Sequence, residues 1–197
     1  MPNSMTSQSA SAAAKQRAES ALFGGKYRLE ELIGEGGMGS VWRARNVVLD
    51  LPVALKLVHP EIRGKDTTAR LLTEARVEAN LHHPGIVRVF DYGETEDGDA
   101  YIVMELLEGT NLVDVLDEGP MPPVQAVQLM LPVIHALHTA HRAGVIHRDL
   151  KPENIFLAHA GSHVQPKLLD FGIAKVSGEP CARVTANGSL LGSPAYM

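Results

Sequence analysis

The chain has 197 residues, 45% of them apolar, and a formal net charge of −5; a domain of roughly 150 residues already hides about 70% of its unfolded surface, so a substantial core is expected. The basic residues are spread out rather than clustered, which removes the electrostatic case for nucleic acid or an anionic membrane as partner. No apolar run approaches the ~20 residues of a bilayer helix, and the single cysteine, Cys181, can close no internal disulfide, in keeping with a cytoplasmic setting.

Residues 1–25 are rich in Ser, Ala and Gln and lack the apolar stretch of a secretory leader, so a disordered tail is expected. Lys15 and Arg17, with no acid before Glu19, form a weaker transit-peptide pattern. From Tyr27 the pattern turns short and alternating. Tyr27–Ile33, Ser40–Ala44, Val53–Val58, Ile86–Tyr92 and Ala100–Glu105 read as strands. Asn46 to Pro52 can link two antiparallel strands, and Asp91-Tyr92-Gly93 and Asp97-Gly98-Asp99 carry turn chemistry. One helix is predicted within this β region, capped by Asp66 and running to about Leu81, with Ala69, Leu72, Ala75 and Ala79 at helical spacing and Pro84 beyond its end.

After Gly119-Pro120 a second helix is predicted, with Val124, Val127, Leu131, Ile134, Leu137 and His141 on its apolar face and Gly144 as its stop. Pro132 removes a backbone donor inside it, which predicts a kink. His135, His138 and His141 fan over roughly 120° of this helix without a His-Glu-x-x-His pattern, so surface and packing roles are preferred to metal binding. Residues 145–172 return to short strands and loops.

Gly34-Glu35-Gly36-Gly37-Met38-Gly39-Ser40-Val41 contains G-x-G-x-x-G, and its flanks decide what that means. A dinucleotide-binding turn would open a helix at the last glycine, yet Ser40-Val41-Trp42-Arg43-Ala44 alternates as a strand. A P-loop would continue with Lys-Ser/Thr. What remains is a hairpin whose glycines let main-chain amides approach phosphates with no Cβ in the way.

His147-Arg148-Asp149-Leu150-Lys151-Pro152-Glu153-Asn154 then places an acid, a cation and an amide within six residues, and Asp170-Phe171-Gly172 follows sixteen residues after Asn154. Phosphoryl transfer needs little covalent help from protein. It needs oxygens to hold metal, a group to orient the attacking hydroxyl and positive charge where phosphate oxygens crowd. Asp149, Lys151, Asn154 and Asp170 supply that list. Together with the glycine hairpin, these motifs resemble those of eukaryotic-type protein kinases, and Lys151-Pro152-Glu153 is the form of the serine/threonine branch. The compact style, with Gly192-Ser193-Pro194, looks like bacterial members.

The resemblance covers residues 27–197 and implies an α+β, protein-kinase-like two-lobe fold. The N-lobe, about 27–105, would hold five antiparallel strands and one helix; a hinge at about 105–111 would lead into the start of a mainly helical C-lobe, about 112–197. ATP and Mg2+ are the implied cofactors, and proteins bearing serine or threonine the implied substrates. The resemblance makes Gly34, Glu35, Gly36, Gly37, Met38 and Gly39 the phosphate loop, Lys56 the contact to the α- and β-phosphates, and Glu74 its helix partner. Ile33, Val41, Ala54, Met104, Leu107 and Phe156 would line an apolar slot for adenine, with Met104 guarding its rear, and the strand and hinge at Tyr101–Gly109, Glu105 included, would present backbone groups to it. Asp149 would orient the substrate hydroxyl and Lys151 neutralise the γ-phosphate, while Asn154 and Asp170 would hold magnesium.

Several features qualify this reading. The position one turn after Glu74 is commonly apolar in the family but here is Glu78. Because burying an unpaired carboxylate is costly, Glu78 is expected to reach solvent, or the helix to be rotated or loosely docked, with lowered basal turnover that a leucine would relieve. Arg148 is expected as a buried cation awaiting a phosphorylated loop, with Thr185, Ser189 and Ser177 as candidate phosphosites. The sequence ends at Gly192-Ser193-Pro194-Ala195-Tyr196-Met197, ahead of the family's Pro-Glu motif and remaining helices, so a partial kinase domain is expected. The alternative is a catalytically inactive nucleotide-binding or partner-binding module.

Overall fold

The computed structural model describes residues 22–36, 39–58, 73, 75–95, 98–161 and 163–171. The chain divides into two compact units, residues 1–62 with 91–106 and residues 63–90 with 107–197.

Five strands share one sheet: β1 (Tyr27–Gly36), β2 (Gly39–Asn46), β3 (Leu51–Val58), β4 (Val89–Glu94) and β5 (Ala100–Glu105), in the order β1-β2-β3-β5-β4. Side chains alternate between the faces of a strand, so the antiparallel registers Ala44↔Val53, Trp42↔Leu55 and Leu55↔Val103 stack one set on one face. With Tyr27, Leu29 and Tyr101 these residues form the core of the first unit. Leu55, Val103 and Ala44 are fully buried, and covering a Leu or Val side chain contributes about 1.5–3 kcal/mol. Register Val41↔Lys56↔Ile102 and Ala54↔Met104 puts a second set on the opposite face.

The connections follow local polar chemistry. Asn46 Oδ1 accepts from the amides of Val48 and Leu49 at 3.0 and 3.1 Å, closing the β2–β3 turn. Thr95 folds the β4–β5 turn: its amide donates to the Asp99 carbonyl at 2.9 Å and its hydroxyl accepts from the Asp99 amide at 3.0 Å. Asp91-Tyr92-Gly93, expected as a turn, instead lies within β4. Tertiary contact overrides its turn chemistry, because the Asp91 carboxylate receives the Tyr27 hydroxyl and the Lys26 ammonium, each at 2.8 Å. That arrangement pushes the Tyr27 hydroxyl above its ordinary pKa, through burial first and the bond to Asp91 second. The strand expected from Ile86 begins only at Val89. Ile86 forms a parallel bridge with Leu168, and the Val87 amide and Gly85 carbonyl both bond the Leu168 backbone at 2.9 Å.

The second unit contains β6 (Gly109–Asn111), α1 (Leu112–Asp117), α2 (Pro123–Arg142), a 3-10 turn (Pro152–Asn154), β7 (Ile155–Ala160) and β8 (His163–Leu168). β6, β7 and β8 form a three-stranded sheet. β6 and α1 were not predicted, although Asn111 before an apolar pair is a helix-start signal; its side chain accepts the Val113 amide at 3.2 Å. Of the helix expected from Asp66, residues 75–78 are helical, and most of its first half lies outside the described residues.

α2 runs unbroken through Pro132 and ends before Gly144, whose φ of 77° suits glycine. Its buried face differs from the expected one. Val133, Ala136 and Ala140 pack against Leu81, Ile86, Leu112, Ile155, Leu157, Leu168 and Phe171. Val124, Val127, Leu131 and Ile134 are more than half exposed. The helix is apolar on two sides, and the side lined with alanine wins because small residues allow close approach of the sheet.

Candidate active site

In the second unit, two loops of the site are tied together by backbone and side-chain bonds. The Leu169 amide donates to the Asn154 carbonyl at 2.9 Å, and His147 Nε2 reaches the Leu169 carbonyl at 3.0 Å. The Asp149 amide donates to His147 Nδ1 at 3.3 Å. One ring nitrogen therefore accepts and the other donates, which specifies the neutral tautomer with its proton on Nε2. Burial holds His147 below the ordinary histidine pKa, in agreement. Its ring also packs on Phe171 with centroids 4.8 Å apart.

Asp149, Lys151 and Asn154 converge. Asn154 Nδ2 donates to the Asp149 carbonyl at 2.7 Å and to its Oδ2 at 3.2 Å, and Lys151 Nζ lies 3.4 Å from the same oxygen. The 3-10 turn at Pro152–Asn154 is what brings the amide back onto the acid, with Pro152 at its start, where no amide is needed. Asn111 Nδ2 holds the Glu153 carbonyl at 2.8 Å and so anchors that turn to the start of α1. Arg148 and Asp170 both have left-handed backbones, with φ of 61° and 48°. Non-glycine residues hold such conformations only where their surroundings fix them, and they gather at functional sites.

Glu78 corrects the expectation that its carboxylate reaches solvent. It is 3% exposed and accepts the Phe171 amide at 3.1 Å, so its burial is not that of an unpaired acid. It also borders a cavity of about 170 Å³ lined by Thr73, Val77, Val145, Ile146, Arg148 and Phe171 among others. Arg148 is likewise not the buried cation expected, since it is exposed. Thr185, Ser189 and Ser177 lie outside the described residues.

In the first unit, β1 and β2 pair as far as Gly36↔Gly39, so the glycine run does form a hairpin rather than a strand-to-helix turn. A register shift between Leu32 and Gly34 bulges β1 at Ile33, which is 46% exposed. A Cβ on Gly39 would collide with the Leu57 carbonyl. Gly34 and Gly36 have no such obstacle: a Cβ on Gly34 would make only an ordinary 3.8 Å contact with Val41, and one on Gly36 would meet nothing within 4 Å. Neither has a positive φ. Packing of the described residues therefore requires glycine at position 39 but not at 34 or 36, where close approach of another molecule to the main chain is a sufficient reason for it.

Val41, Ala54, Lys56 and Met104 occupy the sheet face opposite the core of this unit, and Lys56 is only 6% exposed. Glu35 precedes the hairpin tip and Glu105 ends β5. Leu107 and Phe156 belong to the second unit, with Phe156 paired to Asn111 across β6 and β7. Gly37, Met38 and Glu74 lie outside the described residues. Among the described residues, no group of three or more His, Cys, Asp or Glu side chains could hold a metal ion. No described helix is long and apolar enough to cross a membrane.

A family model described as "Protein kinase domain" matches residues 27–197. Serine/threonine-protein kinase pkn3 of Myxococcus xanthus is 44% identical over 177 residues, covering 87% of this chain and 32% of that protein. Serine/threonine-protein kinase PknL of Mycobacterium tuberculosis is 41% identical over 182 residues, covering 91% of this chain and 44% of that one. The chain thus spans less than half the length of these curated relatives. A crystal structure of the Mycobacterium tuberculosis PknI kinase domain superposes with a TM-score of 0.72 at 28% identity, over 88% of this chain and 68% of that one.

Proposed function

This chain belongs to the protein kinase domain family, and on that premise we propose that it carries the site for ATP-dependent phosphorylation of serine and threonine hydroxyls on protein substrates in the cytoplasm. The observation that carries the proposal is the bonding of Asp149, Lys151 and Asn154 into one cluster tied to the backbone before Asp170. In this reading the first lobe is about 27–105, the hinge about 105–111 and the second lobe begins at about 112.

The residues fit the cofactors. Asn154 spends its amide nitrogen on Asp149, which leaves the amide oxygen as its hard donor, and Asp170 supplies a carboxylate; magnesium prefers such oxygens. When bound, the ion neutralises charge that develops on the phosphate oxygens. Gly34 and Gly36 leave room for phosphates beside main-chain amides, and Val41, Ala54 and Met104 offer an apolar surface for adenine. Lys56 pairs with the phosphates, with Glu74 as its helix partner.

For the reaction, Asp149 accepts a hydrogen bond from the substrate hydroxyl, which aims the oxygen at the γ-phosphorus, and takes its proton late. Lys151 places positive charge beside the transferred group. The bonds from Asn154 fix the Asp149 carboxylate in advance, so little reorganisation remains for the reacting complex. Transfer of labelled γ-phosphate from ATP to a serine-containing protein tests the proposal, with Asp149→Asn as control. Transfer by the unaltered chain and none by the variant is the expected result. Nucleotide binding with no transfer by either would favour the noncatalytic module.

A further inference from the structure

We propose that Glu78 is a positioning residue for Asp170, acting through the backbone of Phe171; this rests on the reading of Asp170 as a magnesium ligand. Asp170 has a left-handed backbone, with φ of 48°. An aspartate tolerates that conformation better than most residues but does not prefer it, so the bonds on either side must select it.

The N-terminal side is fixed twice, by the Leu169 amide on the Asn154 carbonyl at 2.9 Å and by the Leu169 carbonyl on His147 Nε2 at 3.0 Å. The C-terminal side is fixed by the Phe171 amide, which donates to Glu78 Oε1 at 3.1 Å. Glu78 and Phe171 are 3% and 4% exposed, so water does not readily replace a lost acceptor there. The peptide between Asp170 and Phe171 sets the ψ of Asp170, and an acceptor that pins this peptide therefore orients the Asp170 carboxylate. The helical residues 75–78 supply that acceptor across 93 positions of sequence.

This inverts the expectation formed from the sequence. A carboxylate at position 78 was expected to reach solvent or to leave the helix rotated or loosely docked, with leucine raising turnover. In the structure the carboxylate satisfies a buried donor, and leucine would leave that donor without its partner. Outer-shell residues that orient a metal ligand typically change metal affinity by about 10–100-fold when removed.

The test measures phosphoryl transfer by the full chain against magnesium concentration at saturating ATP, for the unaltered protein, Glu78→Gln and Glu78→Leu, with melting temperature recorded for each. Glutamine keeps an acceptor oxygen and leucine does not. The expected result is a half-saturating magnesium concentration raised about tenfold or more in Glu78→Leu and close to the unaltered value in Glu78→Gln. Equal magnesium dependence in all three, or an equal shift in both variants, overturns the proposal, as does a rise in turnover with leucine. If Glu78→Leu folds poorly, Glu78→Met removes the acceptor at nearly constant length and carries the same comparison. An unaltered chain that transfers no phosphate at any magnesium concentration refutes the reading of the site itself, a different outcome from transfer that ignores position 78.

Discussion

Replacing the glycines of the β1–β2 hairpin one at a time by alanine separates what the fold needs from what a nucleotide needs. At position 39 the new Cβ would meet the Leu57 carbonyl, which belongs to the neighbouring strand and cannot rotate away. Relief requires β2 and β3 to part locally, and forced overpacking of this kind costs about 1–3 kcal/mol. At position 36 no described atom lies within 4 Å of the new Cβ and the backbone is not left-handed. Alanine there should be neutral to about 1 kcal/mol stabilising, because it narrows the unfolded ensemble. The functional effect should run the other way. A methyl group at 34 or 36 occupies the space a phosphate would take beside the amides, and a tenfold weaker nucleotide corresponds to about 1.4 kcal/mol. Urea unfolding supplies the stabilities, and the ATP-induced rise in melting temperature supplies the affinities. Gly36→Ala as destabilising as Gly39→Ala would refute the steric reasoning, and full nucleotide affinity in both Gly34→Ala and Gly36→Ala would refute the phosphate assignment.

Burial lowers the folded pKa of His147 below its unfolded value, so its contribution to stability is complete above about pH 6.5. The unfolded chain then takes up the proton first as pH falls, and stability declines by at most about 1.4 kcal/mol per pH unit until the folded pKa is passed. Urea unfolding between pH 8 and 5 should show this decline, shared with His83, whose pKa burial also lowers; a flat profile would contradict it. Asn111→Ala should lose about 1 kcal/mol with the α1 cap, together with the bond to Glu153, while Asn111→Asp keeps the cap acceptor and removes only the donor to Glu153; equal unfolding curves for the two variants would refute the cap, and an Asn111→Asp curve equal to that of the unaltered chain would show that the Glu153 bond contributes nothing. Val133→Ala, at a fully buried position, should cost about 2 kcal/mol, whereas Leu131→Ala, at a position 51% exposed, should stay within about 0.5 kcal/mol. A larger loss at 131 would restore the face expected from the sequence.

The last pair marks where the sequence was readable and where it was not. Strand periods in β1, β2, β3 and β5 were legible because alternation leaves only one face apolar enough for a core. In α2, Leu131 and Val133 point roughly 200° apart at ~100° per residue, yet both sides carry apolar residues, and nothing local states which side meets β8. The acid, cation and amide of residues 149–154 could be found by their spacing. The bond from Glu78 to Phe171 joins residues 93 apart, so no local pattern could disclose it. Asp91 was misread for the same reason, since its partners Lys26 and Tyr27 are distant in sequence. Long-range polar pairs are the part of a fold that composition and periodicity leave open.

The distribution of buried polar groups adds a further step. Among the described residues of the second unit, the buried polar or charged side chains are Glu78, His147 and Asn154. All three bond to the two loops that carry Asp149 and Asp170. Elsewhere this core is aliphatic, with Val133, Ala136, Ile155 and Leu168 in contact. Burying a polar group gains little net stability even when satisfied, and an apolar replacement of similar shape can be neutral. Stability alone therefore does not account for placing three of them together. Orientation does: aliphatic contacts are non-directional and would let the loops relax, whereas hydrogen bonds at 2.7–3.1 Å specify angles. The left-handed backbones of Arg148 and Asp170 are what that directionality maintains, and a chain freed from holding them would have no physical reason to keep a carboxylate, an imidazole and an amide out of water.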